Sequence, residues 1–233
     1  MNWLKKVAVA LVCLLPLGLQ AAKVDTLQVK SPSMNKSIEV VVVSPDMAAT
    51  EACPVIYLLH GYGGNARTWV GIKPDLPKIA DEKGIFFVCP DGKNTWYWDS
   101  PLNADVRYET FISDELVKYV DSHYKTVADR KGRAITGLSM GGHGAMWNGL
   151  RHSDVFSAAG STSGGVDIRP FPKNWEMSVQ IGEKAKYPEN WEKYTVINLV
   201  PTLRKDQIAL IFDCGDSDFF LEVNKNYHEA LLK

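Results

Sequence analysis

Apolar residues in this chain follow two different periods. Leu27 and Val29 alternate with polar neighbours, Ser31-Pro32-Ser33-Met34-Asn35-Lys36 reads as a turn, and Ile38 to Val43 forms a second run. That pattern predicts an antiparallel amino-terminal hairpin. Further along, the alternation gives way to short continuous runs: Val55-Ile56-Tyr57-Leu58-Leu59, Ile85 to Cys89, Ala134 to Thr136, Phe156 to Ala159 and Ile208 to Phe212. Runs without a polar face suit strands covered on both sides in a parallel sheet. Helical spacing separates them. Asp75 to Lys83 is closed by Gly84, Ile112, Leu116, Tyr119, Val120 and Tyr124 share one face behind Asp114 and Glu115, and Asn224 to Leu232 makes a last helix. Strands alternating with helices predict an α/β class: a mostly parallel sheet with helices on both faces and the hairpin at one end. Residues 166–204 break the pattern with Pro, Trp and charged residues. A stretch that long is more than a connection, and we read it as an insertion or lid beside the carboxyl ends of the strands.

Composition adds limits. The chain has 233 residues, 45% hydrophobic and 23% charged, enough for one globular domain with a sizeable core. A net charge of -1 leaves no electrostatic footprint for nucleic acid. The first 22 residues differ in kind: Lys5 and Lys6 precede an apolar run from Val7 to Leu19, then Gln20-Ala21-Ala22. These are the three regions of a secretory signal peptide, short for a membrane span and broken by Pro16 and Gly18. The expectation is an exported domain over 23–233, secreted or periplasmic, with no membrane segment after signal removal. An uncleaved anchor is the competing reading, and Cys13 gives a weak lipoprotein signal. Cys53, Cys89 and Cys214 flank or lie in apolar runs and read as buried thiols with at most one disulfide. No pair has metal-ligand spacing, and neither a metal nor another cofactor is called for.

The chemistry centres on Gly137-Leu138-Ser139-Met140-Gly141, between a strand and a small-residue helix. A Gly-x-Ser-x-Gly in that context forces the serine into a tight turn and lifts its hydroxyl clear of the sheet. Acyl transfer by serine needs a nucleophile, a base, an acid that orients the base, and two oxyanion donors. Ser139 is the candidate nucleophile, and the Met140 N–H follows as the first donor. The loop His60-Gly61-Tyr62-Gly63-Gly64 after an earlier strand nominates the Tyr62 N–H as the second. Trp96 and Trp98, in a polar and aromatic loop at the same edge, are candidates for stacking on a sugar or aromatic acyl group, with core or lid packing as the alternative.

Acid and base are less evenly marked. Asp213, Asp216 and Asp218 follow a late strand; the spacing Gly215-x-x-Asp218 ahead of Phe219-Phe220-Leu221 favours Asp218, with Asp216 as runner-up and a solvated acidic loop as the alternative. A base is wanted after the acid in chain order, yet only His228 follows, within a helix. His123, His143 and His152 also lie on or beside helices and read as packing or capping residues. His60 precedes the serine and reads as a brace for its own loop.

Taken together, Gly137 to Ala145, the His60 to Gly64 loop, Trp96 to Pro101 ahead of an Asp-Glu-Leu-Val helix, and Gly215-x-x-Asp218-x-Phe220-Leu221 resemble the esterase D branch of the α/β-hydrolases. That branch holds S-formylglutathione hydrolases, tributyrin-type esterases, and feruloyl and acetyl xylan esterases. The resemblance runs from about Ile38 to the end. It implies the α/β-hydrolase fold and ester hydrolysis through an acyl-enzyme, with Ser139 as nucleophile, Asp218 as acid, and a small-molecule or carbohydrate ester as substrate. Members of that branch continue with one more strand, the catalytic histidine and a last helix. The expectation here is a chain without that strand and histidine, by truncation or as a degraded relative. A mycolyltransferase-type acyltransferase and a non-catalytic binding protein that keeps the fold are the other readings.

Overall fold

A computed structural model describes residues 22–233. The signal-like segment lies outside the described residues except for Ala22. Seven strands form one sheet: β1 Lys23–Ser31, β2 Lys36–Ser44, β3 Val55–Leu59, β4 Phe86–Pro90, β5 Arg133–Gly137, β6 Ala158–Thr162 and β7 Ala209–Asp213. Their spatial order is β1-β2-β4-β3-β5-β6-β7. β1 pairs antiparallel with β2, and β2 with β4; every other pairing is parallel. The hairpin and the parallel remainder are those the sequence predicts. The fold is that of the α/β-hydrolases.

Residue alternation explains why the central runs are apolar throughout. On β2, Val40 and Val42 face the larger core with Tyr57, Leu59, Phe86, Val88 and Ile135. Val41 and Val43 face the opposite side with Leu58, Phe87 and Cys89, where Leu76 and Ala80 of helix α2 (Leu76–Lys83) cover them. The short helix α1 (Thr68–Ile72) precedes α2, which ends on Gly84 at φ 62°, a left-handed turn that glycine adopts without Cβ strain. The central strands β2, β3 and β4 are therefore sandwiched, and a polar residue on either side would be buried without a partner.

Several element boundaries differ from expectation. The central helix begins four residues early, as α3 (Tyr108–Thr110), and runs through a π turn at Phe111–Glu115 into α4 (Leu116–His123). Asp99 holds its start, accepting from the Thr110 N–H at 3.0 Å and hydroxyl at 2.6 Å. β6 starts at Ala158 instead of Phe156: the Phe156 N–H bonds back to His152 O at 3.0 Å, so this buried aromatic closes helix α5 (Met140–Arg151). Residues 166–204 carry helices α6 (Met177–Ile181) and α7 (Pro188–Lys193) and a 3-10 turn at Val196–Thr202. Ile168, Met177, Ile181, Trp191 and Val196 are buried in the main core, so this segment packs as a cap continuous with the domain. Ser100 Oγ donates to Gln180 O at 2.6 Å and Tyr194 Oη to Asp99 O at 2.8 Å, tying the cap to the loop after β4.

The sheet's two edges are unlike. β1 carries Lys23, Asp25 and Lys30, whereas β7 reads Ala-Leu-Ile-Phe-Asp with Ile211 76% exposed. Among the described residues β7 has a partner strand on one side only. Helix α8 (Leu221–Leu231) follows it. No helix of the described residues is long and apolar enough to cross a membrane.

Candidate active site

β5 delivers Ser139 to the carboxyl edge of the sheet, with φ 55° and ψ -117°. That is the geometry of the first central residue of a II′ turn, a glycine position. The position is over-determined from both sides. Ser139 N–H donates to Thr162 O on β6 at 2.9 Å, and Ser139 O accepts the His143 N–H at 3.0 Å. Gly141 makes the tight turn possible. A Cβ there would lie 2.2 Å from Leu59 O, so α5 and the end of β3 touch backbone to backbone.

The same contact brings the second loop to the serine. A Cβ on Gly61 would lie 3.5 Å from Ser139 Cβ. Met140 opens α5, so its N–H has no intrahelical acceptor, and the Tyr62 N–H makes no hydrogen bond among the described residues. Two backbone N–H groups thus stand without an acceptor on the segments that meet at Ser139. His60 braces this loop: Nδ1 donates to Gly61 O at 2.7 Å and Nε2 accepts the Gly92 N–H at 2.9 Å, which fixes the tautomer and leaves the ring no free nitrogen.

Behind the elbow, His143 is fully buried. Its Nε2 accepts from Trp98 Nε1 at 2.8 Å and its Nδ1 donates to Gly165 O at 2.8 Å. Burial disfavours the charged ring and, against the hydrogen bond to Gly165, lowers its pKa from 6.5 to about 4. It is a neutral strut between α5, the loop after β4 and the start of the cap.

On the acid side, Asp218 is half-buried while Asp213 and Asp216 are exposed. Asp218 Oδ1 accepts the Phe220 N–H at 2.7 Å, which orients the carboxylate and opens α8. Among the described residues no histidine ring hydrogen-bonds the Ser139 hydroxyl or the Asp218 carboxylate. His123 bonds Tyr119 O and His152 bonds Glu109, while His228 on α8 lines a groove with Phe212, Asp213 and Cys214. Cys53, Cys89 and Cys214 are free thiols.

Trp96 and Trp98 correct an expectation. They are 1% and 0% exposed, stack on each other at 5.6 Å, and use their indole N–H groups on Trp175 O and His143. Rings covered in this way have no face left for a sugar, so packing is their role in this structure. The exposed aromatic rings near the two loops are Tyr62, 38% exposed, and Phe219, 60% exposed and stacked on Trp175 at 5.2 Å. Sequence reading missed Asn94, Trp175 and Glu176. Asn94 Oδ1 accepts the Gly63 N–H at 2.9 Å, and its Nδ2 donates to Glu176 Oε2 at 3.2 Å. The polar and aromatic loop around Trp96 is the one available signal for Asn94.

Comparison with known proteins gives one consistent answer. The Esterase family profile matches residues 31–231. An esterase of Mycobacterium tuberculosis is 30% identical over 149 residues, covering 61% of this chain and 32% of that protein. The chain thus spans about a third of that relative's length. An acetyl esterase of Caldicellulosiruptor saccharolyticus is 25% identical over 200 residues, covering 78% of this chain and 72% of the relative. A solved ferulic acid esterase structure superposes with a TM-score of 0.74 at 29% identity, covering 91% of this chain and 86% of that one.

Proposed function

This chain belongs to the Esterase family, and from that premise we propose that it is an exported serine carboxylesterase working through an acyl-enzyme. The observation that carries the reading is the strained Ser139 with two unengaged backbone N–H groups beside it. Attack forms a bond from Ser139 Oγ to the carbonyl carbon, and the negative charge gathers on the former carbonyl oxygen. Donors aimed at that oxygen, Met140 N–H and Tyr62 N–H, stabilise it more than the neutral carbonyl. Collapse breaks the ester C–O bond and releases the alcohol, and water then cleaves the acyl-serine. Asp218 is the acid of this scheme, held by the Phe220 N–H, and its role is to orient a histidine base.

That base has no counterpart among the five histidines of the 233 residues. The Oγ proton must therefore pass to solvent, and acylation of Ser139 slows by several orders of magnitude. The relatives named acetyl esterase and ferulic acid esterase favour acetyl or feruloyl esters of plant polysaccharide as substrates. The leader-like residues 1–22 support export. The test is hydrolysis of 4-nitrophenyl acetate. The 233-residue chain is expected to show a slow rate that Ser139→Ala removes, and a fluorophosphonate is expected to label Ser139. A folded protein with neither signal overturns the reading in favour of a binding protein, the alternative supported by the absence of a histidine at Ser139. Acylated sugar formed in preference to free acid, with a carbohydrate acceptor present, favours an acyltransferase.

A further inference from the structure

Two consecutive non-glycine residues of the cap, Trp175 and Glu176, hold φ values of 48° and 53°. Left-handed backbone at adjacent bulky residues is unfavourable and persists only when the surroundings over-determine it. Here the surroundings are the two loops of the site. The Trp175 ring stacks on Phe219 at 5.2 Å and meets Phe220 at 5.1 Å, immediately after Asp218. Its carbonyl accepts the Trp96 indole N–H at 3.1 Å. Glu176 turns the other way: Oε2 accepts from Asn94 Nδ2 at 3.2 Å, and Asn94 Oδ1 in turn accepts the Gly63 N–H at 2.9 Å. Glu176 also reaches Tyr62. Partial burial, and then a hydrogen bond to the Glu176 carboxylate, raise that hydroxyl above its ordinary pKa.

We propose that Trp175-Glu176 is a clasp between the acid loop and the oxyanion loop, with Glu176 as a positioning residue that holds Tyr62-Gly63 where the Tyr62 N–H can serve the oxyanion. The inference rests on the serine-esterase reading of the site. Gly63, at φ 76°, has open space around its α-carbon and stands at the exposed tip of the loop. His60 anchors the base of the loop through Gly61 O, and the Gly64 N–H closes the turn on the same carbonyl at 3.0 Å. The Gly63 N–H at the tip is held by Asn94 and, through it, by a carboxylate from the cap. A donor displaced by even a fraction of an ångström loses most where charge develops, in the transition state, and least where the substrate is neutral. The clasp therefore acts on kcat and leaves KM alone.

The experiment compares Glu176→Ala, Glu176→Gln and Asn94→Ala in the full chain, with Ser139→Ala as reference. The readouts are 4-nitrophenyl acetate kinetics and hydrogen exchange of the Gly63 amide. Glu176→Ala and Asn94→Ala are expected to lower kcat about tenfold with KM within about twofold, and to speed Gly63 exchange by about tenfold or more. Glu176→Gln keeps an acceptor for Asn94 and is expected to restore both readouts. A kcat unchanged in Glu176→Ala, a change in KM alone, or unchanged Gly63 exchange overturns the clasp. A rate that survives Ser139→Ala overturns the esterase reading and the clasp with it; a rate lost with Ser139 but kept in Glu176→Ala overturns the clasp alone. Where turnover is too slow to follow, Gly63 exchange decides.

Discussion

Ser139 and Asp218 follow strands separated only by β6, yet their surroundings are constructed to different standards. Around Ser139 the backbone is pinned on both sides, the neighbouring helix touches β3 through Gly141, and a neutral buried histidine locks α5 to the cap. Around Asp218 the supporting strand is half-open: β7 is exposed at Ala209, Ile211 and Asp213, and the carboxylate's anchor is one local N–H. In the proposed mechanism the rigid side carries the nucleophile and the oxyanion donors, so the firmer surroundings lie where charge would develop, as preorganised electrostatics requires.

The largest effect should come from breaking the rigid side. Gly141→Ala places a methyl group against Leu59 O and His60 O, backbone atoms that cannot swing aside. We expect a loss of about 3 kcal/mol or failure to fold, read by denaturant titration. A variant as stable as the parent would show that α5 can retreat from β3 and that the contrast between the two sides is smaller than drawn.

Acid sharpens the same contrast through His143. Its folded pKa of about 4 lies below the ordinary 6.5, so the unfolded chain takes up the proton first as pH falls. Stability is therefore unaffected by this group above pH 6.5 and declines between 6.5 and 4, by up to about 3 kcal/mol. Unfolding free energies across that window should fall more steeply for the parent than for His143→Gln, even though the variant starts lower at pH 7 for want of one hydrogen bond. Equal slopes would place the acid sensitivity elsewhere.

The open side should respond least in folding and most in association. Ile211→Lys at a 76% exposed position is expected to change stability by no more than about 0.5 kcal/mol. It should reduce concentration-dependent self-association measured by light scattering, since a charge is how sheet edges avoid pairing. β1 already carries Lys23, Asp25 and Lys30. Unchanged association would mean that another surface, such as the exposed Phe219 or Leu232, governs it.

These differences also mark what the sequence could convey. The elbow and the glycine loop after β3 are legible because glycine at fixed offsets has few physical explanations, and the parallel strands because runs with no polar face have one. Trp96 and Trp98 leave contact and packing open in the sequence: an indole in a polar loop looks the same whether its partner is a sugar or a buried histidine, and only His143 in three dimensions decides. Phe156 reads as part of β6 because apolarity marks burial and says nothing of which element the residue closes. Trp175 and Glu176 were invisible for a stronger reason. Left-handed backbone at such residues has no local preference behind it and is imposed by contacts more than seventy residues away, from Trp96 and Asn94.

The backbone at Ser139 has a consequence for drift. Glycine would occupy φ 55°, ψ -117° with less strain, and the cost of keeping a side chain in such a conformation is about 1–3 kcal/mol. A lineage that had stopped using the hydroxyl would gain stability by replacing it with glycine. Folding alone thus pushes this position away from serine, and under the proposed mechanism it is the chemistry that holds the side chain there.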